Sequence, residues 1–356
     1  MKVIVVGAYG FTGKLVCQQL NSENISFAVA GRDTVKLKQL ATELDAISKI
    51  ITTDITTKKG VEPILDYDII INCIGPFQLY SNQILEQAVT HSKCYFDITG
   101  EEVFVSESID KYSQIAVDNK ATIVHAAAFE SALVNVLTHL LVQKHPDIIG
   151  INTYYHFEKS KPSPGTRFTM KLSKYSDSFF IIYGKKVAIS DLEDTKPKAV
   201  KIRDENYFTM PYPMPEIPLI YEKFGINNIA SYLLTDAFSA AMSFTKREEQ
   251  NSMGKEIEKF QNRKPKGPTA AQRKVQYFDV LVEGFTEKAA KSQLHLSGTD
   301  MYLVTAKTIS FLIKEQLKKP TKNYGILSPH ELLIGKENEF FNYISNININ
   351  IVHSNT

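Results

Sequence analysis

Residues 3–20 read VIVVGAYGFTGKLVCQQL. Val3 to Val6 form a short β-branched run that stops at Gly7, which suits a strand buried on both faces. Phe11, Leu15, Val16 and Leu20 then recur at helical spacing, so a helix is expected over 11–20. Between strand and helix stand Gly7, Gly10 and Gly13, with Tyr9, Phe11 and Thr12 filling the turn. A tight turn needs positive φ, and a pyrophosphate must approach bare backbone; glycine meets both needs. The helix that follows directs its amides and positive dipole end at the phosphate. Such a glycine pattern gains its weight from the strand before it and the helix after it.

Working outward, strands are expected at 27–30, 49–53, 68–73, 94–98 and 122–126. Helices are expected at 35–44, 61–65, 82–91 and 108–119. Alternation of this kind predicts a doubly wound parallel sheet, a Rossmann domain over 1–128, with its ligand outside the carboxyl ends of the strands. Where the second strand ends, an NAD site usually carries an acid for the ribose hydroxyls. Here the chain reads Ala30-Gly31-Arg32-Asp33, with Lys36 and Lys38 nearby. The planar fork of Arg32 suits a 2′-phosphate, which favours NADP over NAD. Asp33 precedes TVKLKQL and reads as a helix cap. Asp54, after the third strand, is either an adenine contact or the cap of its own loop.

From Ile149 the texture changes. INTYYHF and 168–172 read as strands, SKPSPGT at 160–166 as a turn, and the proline-rich 207–220 as surface chain that is neither helix nor central strand. Helical patterns cover 228–245 and 252–262; the apolar stretch 226–244 reads as a core helix or a homodimer surface. Two antiparallel strands then precede a helix from Thr299 to about Leu317. These segments make a second α/β (α+β) substrate or dimerisation domain over 129–320, followed by a C-terminal segment, 321–356. The tail NYISNININIVHSNT is read as an edge strand or as disordered chain.

Composition excludes several classes. The chain has 356 residues, and 41 Lys plus Arg nearly cancel 39 Asp plus Glu, so no overall basic field points to nucleic acid. Cys17, Cys73 and Cys94 match no zinc spacing and make no disulfide scaffold, and no metal site is expected. The absence of an apolar run of about 18 residues argues against an integral membrane segment. A cytoplasmic protein is expected, with a peripheral lipid contact as the alternative.

GAYGFTGKLV, AGRDTVKL and NCIGPFQLYSNQILEQAVTHSKCYFDITGE together resemble the saccharopine dehydrogenase-like oxidoreductases, a group that includes trans-acting enoyl reductases. In the carboxyl half GPTAAQRKVQYFDVLVEGFTE, HLSGTDMYLVTAKTI and GILSPHELLIG are similar to that family's closing pattern. The resemblance implies a second domain whose last helices return to the first, and a nicotinamide near Gly75-Pro76-Phe77 and DITGE. It implies hydride transfer from NADPH to a C=C or C=N bond of a small or acyl substrate. One element departs: Phe129-Glu130-Ser131-Ala132-Leu133 stands where relatives carry Asp-Ser-Ile-Pro. A non-catalytic NADP-binding scaffold or lipid-associated protein is the competing reading.

Cofactor chemistry leaves the protein to bind, orient and supply a proton. Tyr80, after the GPF turn, is a candidate donor. Glu101 and Glu130 are candidate carboxylates for orienting substrate, while Asp97 and His125 read as structural. Arg167, beside Gly165-Thr166, is a candidate for an anionic substrate. No Ser-His-Asp order is legible.

Overall fold

Strand β1 (Val3–Val6) lies fully buried between β2 (Phe27–Gly31) and β4 (Ile69–Asn72), parallel to both. This computed structural model describes residues 1–172, 176–192, 196–237, 239, 267–288, 290–345 and 350–355. The chain divides into two compact units, the first made of Met1–Ala132 with Tyr302–Ile344, the second of Leu133–Met301 with Ser345–Thr356.

In the first unit the strand order is β15-β6-β5-β4-β1-β2-β3, where β3 is Ile47–Thr52, β5 Cys94–Asp97, β6 Thr122–Val124 and β15 Gly325–Leu327. Every neighbouring pair is parallel. The helices are α1 (Phe11–Ser22), α2 (Thr34–Glu43), α3 (Lys58–Val61), α4 (Phe77–Tyr80), α5 (Asn82–Thr90), α6 (Glu102–Asp118) and α7 (Phe129–Lys144), which begins here. α6 starts six residues before the expected 108, and its first two turns bury Phe104 and Val105. From Tyr302 on, the helix Met301–Lys318 belongs to this unit, whereas the sequence reading ended the second domain at 320. It is held by Lys314 Nζ on Glu23 Oε2 at 2.5 Å, and Tyr343 Oη donates to Glu23 Oε1 at 2.7 Å.

In the second unit β7 (Gly150–Glu158) is flanked by parallel β12 (Asn228–Thr235) and antiparallel β13 (Tyr277–Phe285). β14 (Lys291–Thr299) and β16 (Asn350–Asn355) extend one side, β11 (Glu205–Pro211) and β10 (Ala199–Ile202) the other. The hairpin β8 (Phe179–Ile182) and β9 (Lys185–Ala188) joins through β12.

Three sequence expectations are corrected here. Residues 164–172 form helix α8 (Pro164–Leu172) instead of a turn and strand: Pro164 is tolerated at the helix start, and Ser163 Oγ accepts from Thr166 N at 3.1 Å. Arg167 is thus a residue of this helix. The proline-rich passage gives β11 and helix α9 (Glu216–Phe224), with Ile217 to Ile220 buried. Pro218 sits in the first turn of α9, where its missing N–H has no intrahelical partner to lose. Residues 228–235 are strand β12, because pairing on β7 and β11 overrides a local helical pattern; residues 238 and 240–245 of that pattern, and 252–262, fall outside the described residues. The tail residues 350–355 are an edge strand on β14.

Asp279 is wholly buried on β13 and receives three donors: His156 Nδ1 at 3.1 Å, His295 Nε2 at 2.8 Å and Arg203 Nη2 at 2.7 Å. Burial alone would push this carboxyl up, but the hydrogen bonds from the two histidines and the charge of Arg203 outweigh it and hold it well below its usual range. Arg203 is 43% exposed, so its share is screened. A carboxyl depressed in the folded state stabilises above its unfolded pKa of about 4 and loses that contribution as pH falls. Asp279→Asn is expected to cost about 3 kcal/mol near neutrality and to flatten the fall in thermal midpoint between about pH 5 and 2. Thermal denaturation across that range checks it; parallel wild-type and variant curves would sink it.

Candidate dinucleotide site

Strand order in the first sheet reverses at β1, and in such sheets ligands bind outside the carboxyl ends at that point. Gly7, just past β1, has φ +78°, and a Cβ there would lie 2.6 Å from Ile74 Cγ1 and 3.2 Å from the Cys73 carbonyl carbon. Its amide donates to Ala30 O and its carbonyl accepts from Gly10 N, both at 2.9 Å. That carbonyl would lie 2.3 Å from a Cβ on Gly13, so α1 meets the turn only with glycine at 13. Gly10 is the N-cap of α1 and offers no side-chain cap, and the first turn holds no acid. The positive end of the helix is therefore not neutralised by its own cap. Phe11 packs edge-on against Tyr302, with ring centroids 4.9 Å apart.

At the end of β2 the side chain of Arg32 is 70% exposed, and its Nη1 lies 4.0 Å from Asp54 Oδ2. Asp33 caps α2, accepting from Lys36 N at 3.1 Å and meeting Lys36 Nζ at 2.9 Å. Those hydrogen bonds hold its carboxyl below the usual range. Asp54 closes its own turn, accepting from Thr56 N at 3.0 Å and Thr56 Oγ1 at 2.8 Å. Tyr9 does more than fill the turn. Its hydroxyl accepts from Arg32 N at 3.2 Å, its ring lies over Gly31, where a Cβ would come within 2.5 Å, and Lys36 Nζ stands 5.3 Å from the ring centroid.

Gly75 and Pro76 lead into α4 through a cis peptide bond. Asn72 fixes the start of this loop: its Nδ2 donates to Ser81 Oγ at 2.8 Å and Tyr95 Oη at 3.0 Å, and its Oδ1 accepts from Ile74 N at 3.1 Å. Phe77 is buried and packs against Phe104. Glu101 takes the amides of Phe77 on Oε1 and Gln78 on Oε2, each at 2.9 Å. Tyr80 ends α4, half-buried, and Glu130 stands in the first turn of α7.

The structure also assembles an array that the sequence did not reveal. His125 Nδ1 lies 2.6 Å from Asp97 Oδ2, and His125 Nε2 lies 2.7 Å from Ser108 Oγ. Asp97 and His125 have no exposure and Ser108 only 3%, so no substrate reaches the hydroxyl. Asp97 Oδ1 also accepts from Ala126 N at 2.9 Å and Thr99 N at 3.2 Å, which pins the ends of β5 and β6 together. His125 lies 28 residues from Asp97 and 17 from Ser108 along the chain, with no local spacing to signal the array. All three cysteines are free thiols, Cys17 and Cys94 buried and Cys73 partly so. Among the described residues no cluster of three or more His, Cys, Asp or Glu could hold a metal, and no helix is long and apolar enough to cross a membrane.

A glycine turn of bare backbone, an uncapped helix start and an exposed Arg32 in place of an acid fit a dinucleotide carrying a 2′-phosphate. Strand order 3-2-1-4-5-6 and this turn define the first unit as a dinucleotide-binding Rossmann domain. Residues 3–124 match the family described as Saccharopine dehydrogenase NADP binding domain, and this segment is a domain of that family. The chain is 28% identical over 165 residues to the Lipid droplet localized protein of Caenorhabditis elegans, covering 43% of this chain and 39% of that one. It is 28% identical over 149 residues to a Trans-acting enoyl reductase of Mycobacterium ulcerans (40% and 36%). To the Saccharopine dehydrogenase-like oxidoreductase of Homo sapiens it is 26% identical over 147 residues (36% and 34%). The matched part is thus about two fifths or less of each relative. Among solved structures, saccharopine dehydrogenase (L-Glu forming) of Saccharomyces cerevisiae has the same fold, with a TM-score of 0.60 at 12% identity over 99% of both chains.

Proposed function

We propose that this chain is an NADP-dependent oxidoreductase that transfers hydride to the C=C or C=N bond of a small or acyl substrate. One observation carries the cofactor reading: Asp33 is committed to capping α2, which leaves Arg32 as the exposed group at the end of β2. In this reading Gly7, Tyr9, Gly10, Phe11, Thr12 and Gly13 hold the pyrophosphate and Arg32 binds the 2′-phosphate. Asp54 steadies Arg32 beside the adenine, and Gly75, Pro76 and Phe77 line the nicotinamide half. The bound NADPH supplies the hydride. Tyr80 donates the proton and Glu130 orients the substrate. The name of the Mycobacterium ulcerans relative favours the C=C bond.

A second reading, a non-catalytic NADP-binding protein at a lipid surface, draws on the name of the Caenorhabditis elegans relative and on the 129–133 element. Thermal unfolding with NADPH tests the cofactor first. At a hundredfold excess over Kd the folded state is expected to gain about 2.7 kcal/mol. A panel of enoyl thioesters and imines with NADPH then separates the two, since binding without turnover favours the second. No shift with NADPH rejects both.

A further inference from the structure

We infer that Glu101 is a positioning residue for the nicotinamide half of the cofactor and not a proton donor; this rests on the NADP reading above. Its two carboxylate oxygens accept from successive amides, Phe77 N and Gln78 N, each at 2.9 Å. Amides that donate to no intrahelical partner at a helix start favour an anion, so the ionised carboxylate is the form this arrangement selects. Delivering a proton would require the neutral acid, whose hydroxyl oxygen is a poorer acceptor for one of those amides.

The carboxylate is itself held in place. Glu101 N donates to Thr99 Oγ1 at 3.1 Å, and Thr99 N donates to Asp97 Oδ1, a carboxylate fixed by His125. A chain of hydrogen bonds thus runs from the buried β5–β6 junction to the 75–78 turn. At its other end that turn is tied through Asn72 and Ser81, and Ile74 and Cys73 lie directly against Gly7. Removing the charge on Glu101 therefore releases Gly75 to Gln78 while the glycine turn and Arg32 keep their own supports, which are the Gly7–Gly10 bond, the Tyr9–Arg32 bond and Asp33 on α2.

Calorimetric titration of wild type and Glu101→Gln with NADPH and with 2′-phospho-ADP-ribose, which lacks the nicotinamide, tests this directly. The variant is expected to bind NADPH about tenfold more weakly, equal to about 1.4 kcal/mol, and to hold the fragment within about twofold of wild type. The fluorescence of bound NADPH should shift toward that of free NADPH, because its ring is less enclosed. Glu101→Asp keeps the charge one methylene short and should fall between; it carries the comparison if the Gln variant does not fold. Equal losses for both ligands overturn the inference, as does unchanged NADPH affinity and fluorescence. A wild type that binds neither ligand overturns the NADP reading itself, a result the variant comparison keeps separate.

Discussion

Gly13→Ala is expected to lower NADPH affinity more than about 100-fold, some 2.7 kcal/mol, and to destabilise the protein by about 1–3 kcal/mol. The added Cβ would stand 2.3 Å from Gly7 O, 3.0 Å from Gly7 C and 3.2 Å from Ala8 Cα, all backbone atoms that cannot rotate away. α1 must therefore move off the turn, and its amides move with it. Gly165→Ala supplies the contrast. That glycine lies in α8 with only Ser163 Oγ within 4 Å, at 3.9 Å, so alanine there should be neutral or stabilise by about 0.5–1 kcal/mol. Denaturant unfolding and calorimetry on both variants read the two effects. Equal behaviour of the pair would show that the close approach at Gly13 is not what holds the turn.

Arg32→Ala is expected to weaken NADPH binding about 10- to 100-fold and to leave NADH binding nearly unchanged. A guanidinium on a phosphate is worth about 1.5–3 kcal/mol, and NADH has no 2′-phosphate to lose. Because the side chain is 70% exposed, the wild-type preference should narrow as salt rises. Asp33→Ala separates the two neighbours. It removes the α2 cap and should lower the thermal midpoint without shifting the preference toward NADH. An unchanged NADPH-to-NADH ratio in Arg32→Ala would refute the assignment of the 2′-phosphate.

The first half of the fold was legible because its signals are local. A strand buried on both faces must be apolar throughout, a helix beside it must carry a stripe, and Gly7, Gly10 and Gly13 report the backbone's own needs. The Asp33 cap was legible for the same reason, since it acts on the helix that starts at the next residue. Misreadings came where local pattern and pairing disagree. Residues 228–235 look helical until β7 and β11 lie alongside, and 164–172 look extended until Ser163 and Pro164 are seen to start a helix. Glu101 illustrates the site-level limit. The sequence marks it as an acid on the right edge of the sheet, but its partners are amides 23 and 24 residues earlier, and backbone amides leave no trace in residue identity.

By itself, then, the sequence determined a Rossmann domain at the amino-terminal end, its glycine turn and a cation where an NAD site carries an acid. These follow from φ restrictions, side-chain periodicity and charge, all properties of neighbouring residues. Only the tertiary structure decided that Asp97 and His125 form a buried staple, that Tyr9 ties the glycine turn to Arg32, and that Glu101 holds the 75–78 turn. It also decided that the helix Met301–Lys318 completes the first unit. Each of these depends on which strand ends the parallel crossovers bring side by side, a consequence of strand order and packing that no short window of residues contains.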